Sequence, residues 1–317
     1  MSRSAAGLRQ GTGSTNLPPS THNLDESLRD AAPYDDGLSA APAPPPRIVR
    51  VMGARFAAIT ESDAVSAIMD AAMSNRGHWT ITANLDHLRR YTSESLARQL
   101  IDDADLIVAD GTPVIWASRL AGTSLPERIA GSNMIWSICE AAASSRSSVF
   151  LLGGDPGVAD RAAQVLRERY VGLEVAGTSC PPMGFDKDER ELDRIRRQVR
   201  DAAPRIVLVG LGFPKQDVII RHLRDVLPQA SFIGVGISLS FVAGETSRAP
   251  QWTHRLGLEW FYRLLKEPKR LVRRYLFHGV PFALKLFASA VWNRIYVGRV
   301  GSHWGWESSD GPQSMDH

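Results

Sequence analysis

Five short polar or glycine-rich stretches, each following an apolar run, carry the groups that could do chemistry. In chain order they are Thr82-Ala83-Asn84, Ala109-Asp110-Gly111, Gly153-Gly154-Asp155-Pro156-Gly157, Gly210 to Gln216, and Gly234-Val235-Gly236. They offer a carboxylate (Asp110), a hydroxyl (Thr82), an amide (Asn84) and an ammonium (Lys215), with glycines where backbone N–H groups could meet a ligand. No G-x-G-x-x-G follows the first strand and no G-x-x-x-x-G-K-[ST] occurs, which argues against a dinucleotide oxidoreductase and a P-loop phosphotransferase. The one D-x-D, Asp103 to Asp105, precedes an apolar strand instead of following one.

The elements that must position these groups alternate. Ile48 to Phe56 reads as a strand or hairpin, and Thr60 with Asp63 predicts a capping box for a helix through about Met73. Strands are predicted at 79–83, 106–109, 148–152, 173–176, 205–209 and 231–235. Helices are predicted from Pro113 as a first-turn proline, and over 133–144, 156–170, 187–202 and 214–227. No element is assigned between Ala83 and Leu106. Alternation of this kind predicts an α/β fold, a Rossmann-like, mostly parallel sheet with helices on both faces. In such sheets ligands bind beyond the carboxyl ends of the strands, where all five stretches fall.

The 317 residues are 44% hydrophobic and 22% charged, enough for a sizeable core and unlike a disordered, fibrous or disulfide-built chain. Residues 1–46 hold seven Pro and read as a disordered Pro/Ser/Gly-rich leader without the apolar stretch of a secretory signal. A core over 47–247, a basic amphipathic helical appendage over 248–300 and a flexible tail over 301–317 complete the expected organisation. The net charge of +3 conceals the appendage, where residues 261–300 carry nine Lys or Arg against Glu267 alone. Arg263, Arg270 and Arg273 share a helical face if the helix passes Pro268, and the apolar run Val280 to Tyr296 adjoins them. Cations beside an apolar, Trp-containing run suit an anionic membrane surface better than nucleic acid. No stretch is long enough to span a bilayer, and Cys139 and Cys180 show no metal or redox spacing.

The sequence resembles the WecG/TagA/CpsF family of bacterial glycosyltransferases over roughly residues 48–275. The motifs that carry the resemblance are Thr82-Ala83-Asn84, Ala109-Asp110-Gly111-Thr112-Pro113, Pro126-Glu127-Arg128-Ile129-Ala130-Gly131, Phe150 to Gly154, Gly212-Phe213-Pro214-Lys215-Gln216, Ala243-Gly244 with Arg248-Ala249-Pro250, and Gly257 to Trp260 with Arg263, Pro268 and Arg270. The resemblance implies inverting transfer of a hexose or N-acetylhexosamine-type sugar from a UDP-sugar to a polyprenyl-diphosphate-linked saccharide. It makes Asp110 the general base, with Thr82 and Asn84 lining the same pocket. Arg263, Arg270 and Arg273 would close over the donor diphosphate in place of a metal, so no cofactor is expected. Arg128, Gly131, Gly153, Gly154, Lys215, Gln216 and Gly234 complete the expected substrate-binding set.

Three departures from the family pattern, at Asn133, Asp217 and the segment Ile237 to Phe241, bear on the donor sugar. The expected location is cytoplasmic, peripheral on the inner face of the bacterial plasma membrane, and the family admits homo-oligomers. Two other readings compete: a nucleotide-binding oxidoreductase or epimerase on a doubly wound sheet, and a non-catalytic membrane adaptor.

Overall fold

The computed structural model describes residues 46–246 and 272–296. The leader up to residue 45, residues 247–271 and residues 297–317 lie outside the described residues, and with them most of the expected appendage, including Arg263 and Arg270.

The chain opens with the antiparallel hairpin β1 (Ile48–Val51) and β2 (Ala54–Ala57). Met52 and Gly53 turn it with φ of 53° and 93°, the left-handed pair that matches the twist of a two-residue hairpin loop. Helix α1 (Glu61–Met73) starts at the expected capping box: the Asp63 N–H donates to Thr60 Oγ1 at 3.2 Å and the Thr60 N–H to Asp63 Oδ2 at 2.9 Å.

The alternation follows. Strands β3 (His78–Ala83), β4 (Leu106–Ala109), β5 (Val149–Gly153), β6 (Val175–Ser179), β7 (Ile206–Gly210) and β8 (Ser231–Gly234) form one sheet in the order β4-β3-β8-β7-β5-β6, with every neighbouring pair parallel. β4, β5, β7 and β8 are buried along their whole length, as strands covered on both faces must be. One face is covered through Leu88 of α2 (Leu85–Ser93), Leu100 of α3 (Ser95–Asp102), Val114 of α4 (Thr112–Leu120), Ile195 of α7 (Glu189–Ala202) and Ile219 of α8 (Lys215–Val226). The other is covered by α1, α5 (Gly131–Ser145), α6 (Val158–Arg169) and the short α9 (Ser238–Val242).

Two differences from the sequence reading have local causes. Residues 85–102 form α2 and α3, two short helices separated where Glu94 takes extended backbone (φ −127°, ψ 122°), so no long apolar period accumulates. β6 begins two residues later than expected. It is an edge strand of half-buried residues whose Gly177 leaves room for the Phe150 ring, which a side chain there would meet at 2.7 Å.

Helix α10 (Val280–Tyr296), preceded by a π-helical turn over Arg273–Gly279, packs against α4 and α2. Phe282, Leu286 and Ala290 join the core, while Arg294 donates to the Leu120 carbonyl at 3.4 Å, at the end of α4. Phe277, Val280, Leu284, Val291 and Ile295 point the other way and are exposed. The helix is therefore apolar on both sides. Among the described residues no helix is long and apolar enough to cross a membrane.

Candidate active site

The carboxyl ends of β3 and β4 place the polar groups. The Asp110 N–H donates to the Ala83 carbonyl at 2.9 Å, extending the β3–β4 pairing one residue past the strand and setting Asp110 beside Asn84. Asp110 is not the N-cap residue of α4. The N-cap is Gly111, which has no side chain to cap with, and Pro113 occupies the first turn.

Thr82 is buried, and its hydroxyl donates to the Gly234 carbonyl at 3.1 Å, tying the end of β3 to that of β8. Helix α5 begins against this junction at Gly131. A Cβ there would stand 3.2 Å from Val235 Cα and 3.3 Å from Thr82 Oγ1, so a glycine lets the helix end approach the sheet edge. α5 has no side-chain cap, and its fifteen-residue dipole brings partial positive charge to the ends of β3 and β8. The segment before it is pinned twice, by Ile129 N–H to the Ala109 carbonyl at 2.8 Å and by Glu61 N–H to Glu127 Oε1 at 2.6 Å. Arg128, between those anchors, is half-buried beside the end of β4.

The other expected site residues reach the same edge but have structural partners. Gly153 has φ of 126°, and a Cβ would lie 2.4 Å from the Gly210 carbonyl oxygen, so glycine is required where β5 and β7 end together. Gly154 donates to that same carbonyl at 3.1 Å, and its missing side chain leaves space for Val158. Gly234 makes room for the buried Gln216 side chain, which a Cβ would meet at 2.3 Å. The Gln216 Oε1 accepts from Gly236 N–H at 3.1 Å, latching the β8–α9 turn to α8. Lys215 Nζ pairs with Asp186 at 2.9 Å, which holds the Asp186 carboxyl below its usual range. It lies 5.9 Å from the Phe185 ring centre.

Sequence reasoning left His87 and Arg90 unnamed, and named Asp217 only as a departure from the family pattern. His87 is buried with its Nδ1 3.0 Å from Asn84 Oδ1 and its ring 4.3 Å from that of Phe213, joining the Thr82-Ala83-Asn84 turn to the β7–α8 loop. Arg90 stands over the Phe213 ring at 5.3 Å and donates to its carbonyl at 3.4 Å. Asp217, in the first turn of α8, is fully buried with neither carboxylate oxygen in hydrogen-bonding geometry. Burial pushes its pKa up to about 7, against partial opposition from the nearby Gln216 amide and Trp79 indole. Of the two unnamed groups, only His87 could have been flagged, by its i+3 spacing from Asn84, that of a capping box.

Asp103 and Asp105 sit at the opposite edge, before β4, where they face Arg221 at 3.6 Å and Arg224 at 3.2 Å on α8. Of the three appendage arginines, Arg263 and Arg270 lie outside the described residues. Arg273 is described by its backbone alone, in the π-helical turn that lies against α2.

A doubly wound parallel sheet carrying an acid, an amide and an uncapped helix end at one strand edge defines a small-molecule site of the kind used by group-transfer enzymes on this architecture. Comparison with known proteins gives the class. Residues 49–295 match the model of the glycosyl transferase WecG/TagA/CpsF family, so the chain belongs to that family and is a glycosyltransferase. It is 33% identical over 196 residues to an N-acetylglucosaminyldiphosphoundecaprenol N-acetyl-beta-D-mannosaminyltransferase of Bacillus spizizenii, covering 62% of this chain and 74% of that protein. A Staphylococcus aureus protein of the same name is 32% identical over 203 residues, covering 64% and 78%.

Proposed function

We propose that this glycosyltransferase moves an N-acetylhexosamine or hexose from a UDP-sugar to a polyprenyl-diphosphate-linked saccharide, with inversion and with Asp110 as general base. The observation that carries the reading is the placement of Asp110. It stands at the end of β4, one residue before the N-cap of α4 and next to Asn84, in a chain whose relatives are named for mannosaminyl transfer to a diphosphoundecaprenol-linked N-acetylglucosamine. An attacking hydroxyl must shed its proton, and a positioned carboxylate supplies roughly 10² to 10⁴ in rate. UDP-N-acetylmannosamine is accordingly the first donor to try, with UDP-glucose beside it.

Charge developing on the departing diphosphate needs cationic or N–H donors. The α5 terminus, Arg128 and Arg273 are candidates together with Arg263 and Arg270. Metal-free chemistry remains the reading because the D-x-D lies at the wrong sheet edge and is engaged by arginines. The exposed apolar ridge of α10, with Lys285 on the same helix, supports a peripheral station at an anionic membrane surface, where the acceptor's lipid would be.

The test is UDP release by the full chain from UDP-N-acetylmannosamine, UDP-glucose and UDP-N-acetylmannosaminuronic acid, with a lipid-linked N-acetylglucosamine acceptor, in the presence and absence of EDTA. Asp110→Asn is expected to bind UDP as the parent does and to lose about 10² to 10⁴ in turnover. Turnover by Asp110→Asn at the parent's rate would remove Asp110 from the base role, and EDTA-sensitive release would remove the metal-free mechanism.

A further inference from the structure

The turn after β3 holds a device that the assigned roles leave unused. Asn84 caps α2 through its side-chain oxygen, which accepts from the Asp86 N–H at 3.0 Å and the His87 N–H at 3.4 Å. Those two donors fix which end of the amide is oxygen, because a flipped amide would turn its own N–H groups toward them. The His87 Nδ1 then lies 3.0 Å from that same oxygen. It also lies 3.4 Å from the Asn84 backbone N–H.

The two approaches ask for different tautomers. A lone pair on Nδ1 would accept the backbone N–H at 3.4 Å but would face the amide oxygen's lone pairs at 3.0 Å. A proton on Nδ1 makes the shorter contact a hydrogen bond and leaves the longer one weakly unfavourable. The shorter contact dominates, so Nδ1 carries the proton. The ring is held for this purpose by the Phe213 ring of the β7–α8 loop, which Arg90 of α2 clamps in turn.

We propose that His87 is a positioning residue that acts through Asn84. With three donors on Oδ1, the Asn84 amide is locked, and the only polar group it can turn to a ligand is its NH₂, beside Asp110. The parallel register puts this donor and the Asp110 carboxylate on neighbouring strand ends. That pairing fits a sugar hydroxyl or acetamido oxygen held by Asn84 while a neighbouring hydroxyl gives its proton to Asp110. Loss of the His87 bond would free the amide to rotate and would misplace the bound sugar relative to the base, an effect on turnover more than on fold. The assignment of what Asn84 binds rests on the transferase reading above; the tautomer and the lock do not.

Two substitutions separate the ring nitrogens, since an Asn amide nitrogen falls where Nδ1 lies and a Gln amide nitrogen where Nε2 lies. Both lose the Phe213 stack equally. His87→Asn is expected to stay within about threefold of the parent in kcat, and His87→Gln to fall about tenfold or more with little change in KM for the donor. In an Asn84→Ala background, His87→Gln should cost nothing further. Equal losses in the two variants, or an undiminished His87→Gln loss in the Asn84→Ala background, would overturn the proposal. The tautomer is read on the unmodified protein by ¹H–¹⁵N correlation across the imidazole, which needs neither substrate nor a variant that folds. A proton on Nε2 alone would also overturn it. A parent without UDP release but with the Nδ1 proton would refute the transferase reading and leave the lock standing.

Discussion

Gly234→Ala tests whether the Gln216 side chain belongs to the ligand site or to the scaffold beneath it. The added methyl carbon would lie 2.3 Å from Gln216 Nε2, a separation real contacts essentially never show, and 3.0 Å from its Cδ, itself tight. Gln216 is 2% exposed, so it has no solvent to swing into, and moving it breaks the 3.1 Å bond from Gly236 N–H. Overpacking costs about 1 to 3 kcal/mol, and an amide left buried without its partner costs about 1 to 3 more. A loss of roughly 2 to 5 kcal/mol in urea unfolding is expected, set against a total stability of about 5 to 15. Gln216→Ala alone should cost about 1 to 3 kcal/mol. The pair Gly234→Ala with Gln216→Ala should cost less than the sum of the singles by about 1 to 3 kcal/mol, because the small side chain removes the clash. UDP titration on the folded variants completes the assay. Additive losses, or Gly234→Ala within about 0.5 kcal/mol of the parent, would refute the latch. A stable Gln216→Ala that no longer binds UDP would return Gln216 to the ligand site.

Two further outcomes follow from burial. Phe282→Ala or Leu286→Ala removes a buried side chain that α10 sets against α4 and α2. Each should lower unfolding stability by about 2 to 5 kcal/mol in urea titrations, whereas Leu284→Ala, on the exposed ridge, should stay within about 0.5. Burial raises the folded pKa of Asp217 to about 7 from the ordinary carboxylate value of 3.8, so the folded state holds a proton that the unfolded state has released between those values. Stability therefore falls as pH rises from about 4 to 7 and levels off above, by an amount on the order of a few kcal/mol. Asp217→Asn should flatten that slope in denaturation measured across this range.

Much of this site was legible because strand ends announce themselves. An apolar run that stops at Ala109 and is followed by Asp110, Gly111 and Pro113 leaves few conformations except a strand running into a helix. The same logic placed the ends of β3, β5, β7 and β8, and the structure brings Thr82, Asn84, Asp110 and Gly131 together as the motifs imply. What each residue does at the edge was not legible, since a glycine that admits a ligand and a glycine that admits another strand look alike in sequence. At Gly153 and Gly234 the space a side chain would need is filled from within the fold, by the Gly210 backbone of β7 and by the Gln216 side chain of α8. These contacts join residues 18 and 57 positions apart along the chain, beyond the reach of any local period.

The reverse error concerns α10. The sequence presents Val280 to Tyr296 as a single apolar run beside cations, which reads as one lipid-facing surface. In the fold the run is divided between two jobs, with Phe282, Leu286 and Ala290 filling the groove on α4 and α2 and the ridge from Phe277 to Ile295 turned outward. A helix so docked cannot leave the core without exposing those side chains to water, at about 1.5 to 3 kcal/mol for each large one. Any membrane contact through α10 must then be made by the core and helix together. The strand edge bearing Asp110, which opens α4, and the turn capped by Asn84, which opens α2, are built on the two helices that hold α10 in place. A surface that binds through α10 is therefore mechanically tied to both sides of the proposed catalytic turn.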